Sequence, residues 1–170
     1  LSYYCHKLNS IELNTTYYSI PTPERVEGWY KKTQEVKDFL FCPKVTQSIV
    51  QNFDSKEVGF FFDSISQFKE KLGEIFLQFT PQFDLSYANL FKKLIASLPT
   101  GFKLSVELRH PTWFSAPMLE RFGDFLSERE IGWVMTDTPG RRDVCHMRVT
   151  SKRLFIRFVG NSLHDTDFSR

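Results

Sequence analysis

Cysteine is scarce in this chain, and the spacing that would make it structural is missing. The 170 residues hold three cysteines, Cys5, Cys42 and Cys145. An odd number at wide spacing, with no Cys-x-x-Cys pair, speaks against a disulfide or zinc framework and fits a reducing compartment. Strong charge of either sign is also lacking. The net charge is +2, and the basic pairs Lys92-Lys93, Arg141-Arg142 and Lys152-Arg153 are scattered, so electrostatics alone names no nucleic-acid or membrane partner. No apolar run approaches the ~18 residues of a membrane span, and LSYYCHKLNS at the start has neither the basic beginning nor the apolar stretch of a signal peptide. The expectation is a cytoplasmic protein with no membrane partner. There is no Walker-type or Rossmann-type glycine pattern, no Gly-x-Ser-x-Gly elbow and no defensible Cys-His nucleophile, which lowers nucleotide-cofactor enzymes and acyl hydrolases in rank. No pattern names a cofactor.

What the chain does have is an ordinary globular composition, 41% hydrophobic and 25% charged, long enough for one sizeable core. One domain over residues 1–170 is expected. Aromatics reach 16%, with 18 Phe, spread through apolar patterns as core filling. Six segments read as strands: SIELNTTYY (10–18), FLFCPKVT (39–46), EIFLQFTP (74–81), KLSVELRH (103–110), IGWVMTD (131–137) and RLFIRFVG (153–160). Between most of them lie stretches with helical spacing. TPERVEGWYKKTQEV offers Thr22 as N-cap and Pro23 at the first helical position, and DSISQFKEKLG ends on Gly73 as a stop. DLSYANLFKKLIASLPTG and SAPMLERFGDFLSERE follow the same plan of cap, apolar stripe and breaker. The least regular stretches are 48–60 and 138–152.

A β-then-α rhythm of roughly 30 residues fits either an open doubly wound sheet or a closed (β/α)₈ barrel. Central strands of a doubly wound sheet read as nearly continuous apolar runs. Here polar groups return to one face: Glu12 and Asn14, Gln78, Glu107 and Arg109, Arg157, with Asp137 at the end of its strand. They crowd the C-terminal strand ends, where barrels place their active sites. The expected fold is therefore α/β, a TIM-type (β/α) barrel. A whole one takes about 250 residues and eight strands, so this chain is expected to be incomplete, with about six of eight parallel strands present.

Several segments, taken in order, resemble the landmarks of the YecE-like family, domain of unknown function 72: IELNTTYYSIP, FCPKVT, LGEIFLQFTPQF, VELRHPTWF, TDTPGRRD and FIRFVGNSLHDTD. The resemblance implies a TIM-type barrel of which this chain covers roughly strands two to seven. It also implies that Glu12, Asn14, Thr16, Tyr17, Lys44, Gln78, Glu107, Arg109, His110, Trp113, Asp137, Arg157 and Asn161 surround the family pocket. One departure is Thr46-Gln47, where many members carry Thr-His. The family's activity is not established.

Three carboxylates (Glu12, Glu107, Asp137) and three cations (Lys44, Arg109, Arg157) thus project towards one space in this reading. A buried ion network that only sets register is the bland alternative. Glu107 is the candidate general acid or base, with Glu12, Asp137 and His110 as further catalytic candidates. Arg109 is suited to clamp an anion through its planar fork. The candidate ligand-binding residues are Asn14, Tyr17, Lys44, Gln78, Arg109, Trp113, Arg157 and Asn161. Tyr17 and Trp113 offer flat faces or cap the core, and VGNSL (159–163) offers backbone N–H groups to a phosphate. The four histidines show no His-x-x-x-His spacing. A metal held by His110, Glu107 and Asp137 ranks below a His that holds a loop by hydrogen bonds. The first functional reading is an enzyme, or a barrel descended from one, acting on a small polar or anionic ligand. The second is a nucleic-acid-binding or processing protein, by analogy with DNA-repair barrels.

Overall fold

The computed structural model describes residues 1–54 and 56–160. Asn161, one of the candidate ligand contacts, and the two residues after it in the VGNSL segment lie outside the described residues. Two compact units are formed, the first from Leu1–Gln78 and Asn89–Leu104, the second from Phe79–Ala88 and the chain from Ser105 onward.

In the first unit, β1 (Ser10–Leu13) pairs in parallel with β2 (Leu40–Pro43), Glu12 standing opposite Cys42. Parallel bridges Phe41 to Leu72 and Lys44 to Phe76 carry the pairing on to β3 (Ile75–Gln78). The expected strand 10–18 stops early, because Thr15–Tyr18 forms a helical turn, α1. Its cause is Thr16, whose buried hydroxyl lies within hydrogen-bond distance of the carbonyls of Leu13 (2.7 Å) and Lys44 (2.6 Å) and so folds the chain back over the end of β2. Helix α2 (Pro23–Thr33) starts as its sequence predicts: Pro23 fills the first turn, where no N–H is needed, and the Thr22 hydroxyl accepts from the Arg25 N–H at 3.3 Å. Its Trp29 stacks on Phe68, which stacks in turn on Phe41 of β2 at 4.2 Å. The outward face of the strands is thereby covered by aromatics.

Residues 48–60, expected to be irregular, are largely helical. Helix α3 (Gln47–Asn52) and α4 (Lys56–Ile65) flank Phe53, which takes the left-handed conformation at φ 57°. The segment 63–73 is the end of α4 followed by a 3₁₀ stretch, Ser66–Lys71, broken at Lys69. Gly73 is therefore not a helix stop. Its backbone lies against β2, donating to the Phe41 carbonyl at 2.8 Å, and a Cβ there would come within 2.9 Å of the Cys42 sulfur and 3.1 Å of the Phe41 carbonyl oxygen. The absence of a side chain lets the strand approach. The unit is completed by α5 (Ala88–Ser97), whose stretch from Asn89 lies in this unit.

In the second unit, β4 (Leu104–Glu107) continues from its first residue and pairs in parallel with β5 (Gly132–Trp133), Ser105 opposite Gly132 and Val106 opposite Trp133. β6 (Met135–Asp137) pairs in parallel with β7 (Ile156–Phe158), Thr136 opposite Arg157 and Asp137 opposite Phe158. The expected strand 131–137 is thus two short ones. Side chains from the irregular segment 138–152 take up backbone groups at the join: the Trp133 N–H donates to the Thr150 hydroxyl (2.8 Å), and the Val134 carbonyl contacts His146 Nε2 (3.0 Å). Helix α6 (Ala116–Ser127) covers the outer face through Phe122, which packs on Trp133 and Trp113.

The fold is mixed α/β with short parallel ladders. The described strands form small sheets that do not close into a barrel. No helix of the described residues is long and apolar enough to cross a membrane.

Candidate functional site

Strand alternation decides which candidates can meet. In the first unit, Phe41 turns outward onto Phe68, so Glu12, Cys42 and Lys44 stand on the other face, shared by Phe76 and Gln78. Lys44 is buried, 8% exposed, and its ammonium donates to Gln78 Oε1 at 2.5 Å. The α1 turn places the Tyr17 ring 4.1 Å from the same ammonium, a cation–π contact. Gln51 Nε2 donates to the Tyr17 hydroxyl. Asn14 precedes that turn and is exposed, making no capping bond with its side chain. Burial pushes the Cys42 thiol up, which makes it a poor nucleophile on this face.

In the second unit, Glu107 is fully buried. Arg157 Nη1 donates to its Oε2 at 2.7 Å, and Arg109 Nε lies 3.2 Å from its Oε1. Glu107, the last residue of β4, and Arg109, two residues beyond it, therefore meet on one face, and β7 delivers Arg157 to it. The Arg157 side chain is 18% exposed and that of Arg109 is 33% exposed. Arg109 meets the carboxylate through Nε. Its backbone is pinned by Arg141, whose Nη2 donates to the Arg109 carbonyl at 2.8 Å. Arg141, from the loop after β6, is a positioning residue.

The remaining candidates are placed elsewhere. Asp137 stands opposite Phe158, which is 82% exposed, and pairs with the exposed Arg142 at 2.8 Å. It is on the face away from Glu107. His110 caps a 3₁₀ turn, Pro111–Phe114, its Nδ1 accepting from the Thr112 N–H (3.4 Å) and lying 2.9 Å from the Thr112 hydroxyl. It holds a loop. Trp113 is 1% exposed, stacks on Phe83 and donates from Nε1 to the Phe83 carbonyl at 2.7 Å. Its ring offers no face to a ligand. Among the described residues no three His, Cys, Asp or Glu side chains are placed to hold a metal ion, and the set His110, Glu107 and Asp137 is not assembled.

Two further residues are buried in the second unit, the first on the outer face that α6 covers and the second on the face of the cluster. His146 is buried between Phe114 and Trp133, and burial holds its imidazole below the usual range. Thr136 shares the face of Arg157 and Glu107. Its register opposite Arg157 places it there, a pairing between β6 and β7 that no local pattern in the sequence announces.

A family model described as "Protein of unknown function DUF72" matches residues 1–169. The chain is 29% identical over 143 residues to the UPF0759 protein YecE of Escherichia coli O157:H7, covering 81% of this chain and 52% of that one. It is 30% identical over 139 residues to the UPF0759 protein YunF of Bacillus subtilis strain 168, covering 73% and 46%. The chain spans about half the length of these relatives. A crystal structure of a DUF72 family protein, EF0366 from Enterococcus faecalis V583, superposes with a TM-score of 0.81 at 25% identity, covering 94% of this chain and 69% of that one. With the family model matched over almost every residue, and with a solved member superposing at a TM-score of 0.81, the chain belongs to the DUF72 family.

Proposed function

We propose that this chain supplies part of a TIM-type (β/α) barrel and binds a small polar or anionic ligand, phosphate-like or sugar-like, at the C-terminal strand ends of the second unit. The observation that carries the reading is the Glu107, Arg157 and Arg109 cluster. A buried carboxylate is held by one guanidinium through a 2.7 Å hydrogen bond, while a second, partly exposed guanidinium stands at 3.2 Å. Arg109 has the donor geometry for bidentate capture of an oxyanion. Glu107 is the group to accept or return a proton of a ligand hydroxyl brought within hydrogen-bond reach. Arg157 holds that carboxylate in one orientation. The polar face of the first unit, with Lys44, Gln78 and Tyr17, is a second set of candidate ligand contacts.

Isothermal calorimetry on wild type and Arg109→Lys tests the reading, with inorganic phosphate, sulfate, a hexose phosphate and a short single-stranded DNA as titrants. Lysine keeps the charge and loses the fork, so the reading expects wild type to bind at least one small anion and the variant to bind it about tenfold or more weakly. Equal affinity of both proteins for every anion would refute it. Tight binding of the oligonucleotide alone would favour a nucleic-acid partner instead.

A further inference from the structure

A buried hydroxyl on the face of the arginine–carboxylate cluster is unsatisfied among the described residues. Thr136 on β6 is 7% exposed, and its Oγ1 makes no hydrogen bond among the described residues. Native proteins rarely leave such a group unsatisfied, because burying a hydroxyl without a partner is costly. The strand register puts it on the face of the cluster. Thr136 is the cross-strand partner of Arg157, and parallel partners project to the same side. That is the side on which Arg157 meets Glu107 at 2.7 Å.

We infer that Thr136 is a ligand-binding residue, which hydrogen-bonds a hydroxyl of a ligand whose anionic group sits on Arg109, so that the ligand is a hydroxylated anion such as a polyol or sugar phosphate. This rests on the anion reading above and narrows it. A bare oxyanion would leave Thr136 as it is. A ligand hydroxyl, which both donates and accepts, would satisfy Thr136 Oγ1 while staying within the field of Glu107. Threonine suits this because its χ1 is stiff, so its hydroxyl direction is set before the ligand arrives.

The test compares inorganic phosphate, n-propyl phosphate and glycerol 3-phosphate on wild type, Thr136→Val and Thr136→Ser, with thermal unfolding of each protein alone. Wild type should bind glycerol 3-phosphate about tenfold more tightly than n-propyl phosphate, the effect of roughly one well-made hydrogen bond. Thr136→Val should abolish that preference with phosphate affinity unchanged, and Thr136→Ser should keep it. Because the hydroxyl has no internal partner, Thr136→Val should be as heat-stable as wild type or more so. A preference that survives in Thr136→Val overturns the assignment, as does a fall in its stability, which would show a structural hydrogen bond. Equal binding of the two esters by wild type overturns the assignment and leaves the anion reading standing. Failure of all three to bind removes both.

Discussion

Replacing Arg157 with methionine isolates the contact on which the site depends. The change removes the guanidinium 2.7 Å from Glu107 Oε2 and keeps most of the aliphatic volume, leaving a carboxylate whose side chain is 1% exposed. Breaking a buried ion pair from one side costs roughly 3–5 kcal/mol. Arg109 remains 3.2 Å from the other oxygen, which places the expected loss at the lower end, about 3 kcal/mol. For a chain of this size that is a fall in melting temperature of roughly 6–12 °C. In urea it lowers the midpoint by about 1.5 M if the slope is near 2 kcal/mol per molar. The double variant Glu107→Gln with Arg157→Met should recover most of the loss, since taking away both charges removes the desolvation penalty along with the attraction. Equilibrium urea unfolding of wild type, both single variants and the double variant gives the coupling energy directly. A single-variant loss below about 1 kcal/mol, the ceiling for an exposed pair, or a double variant no more stable than Arg157→Met, would refute the description of this contact as a buried, coupled pair.

Two other outcomes follow from named side chains. Burial keeps the His146 imidazole neutral in the fold, its value lowered, so the unfolded chain takes up the proton first. The stability it protects is present above the ordinary value of about 6.5 and is lost as pH falls from there through the lowered folded value. Thermal melts from pH 8 to pH 5 should show this decline, and His146→Phe should flatten it; an unchanged slope in the variant would count against the assignment. Trp113→Phe keeps the stacking on Phe83 but deletes the donor to its carbonyl, and should cost about 1–2 kcal/mol in urea unfolding, with ligand binding unchanged. A loss of affinity without a loss of stability would return Trp113 to the site.

The strand cores, the parallel α/β character and the Thr22–Pro23 helix start were legible because each rests on a local rule: alternation, a turn signal or a cap. Errors arose where a distant contact overrides the local one. The strand expected over 10–18 ends early because Thr16 finds the Lys44 carbonyl, 28 residues away, which no local pattern announces. Gly73 reads as a helix stop until β2 is seen to press against it. Residues 48–60 look irregular because the left-handed Phe53 splits them into two short helices. In the candidate site, Glu107 and Arg109 were readable from their two-residue spacing, and Arg157 from its strand. Asp137 was misplaced because its charge outweighed its parity, although an odd offset from Thr136 puts it on the opposite face. Trp113 could not be separated from a ligand platform by sequence, since only the packing on Phe83 and Phe122 decides which side of the loop its ring fills.

The central claim is that the Arg109 and Arg157 face of the second unit receives an oxyanion, and diffraction from crystals of the full-length protein soaked in selenate tests it most directly, because selenium scatters anomalously and mimics sulfate and phosphate in shape. The account predicts an anomalous peak placed so that selenate oxygens lie about 2.7–2.9 Å from the Arg109 guanidinium nitrogens, absent from crystals of Arg109→Lys treated in the same way. A peak confined to other surfaces, or one at this face that persists unchanged in Arg109→Lys, would contradict it.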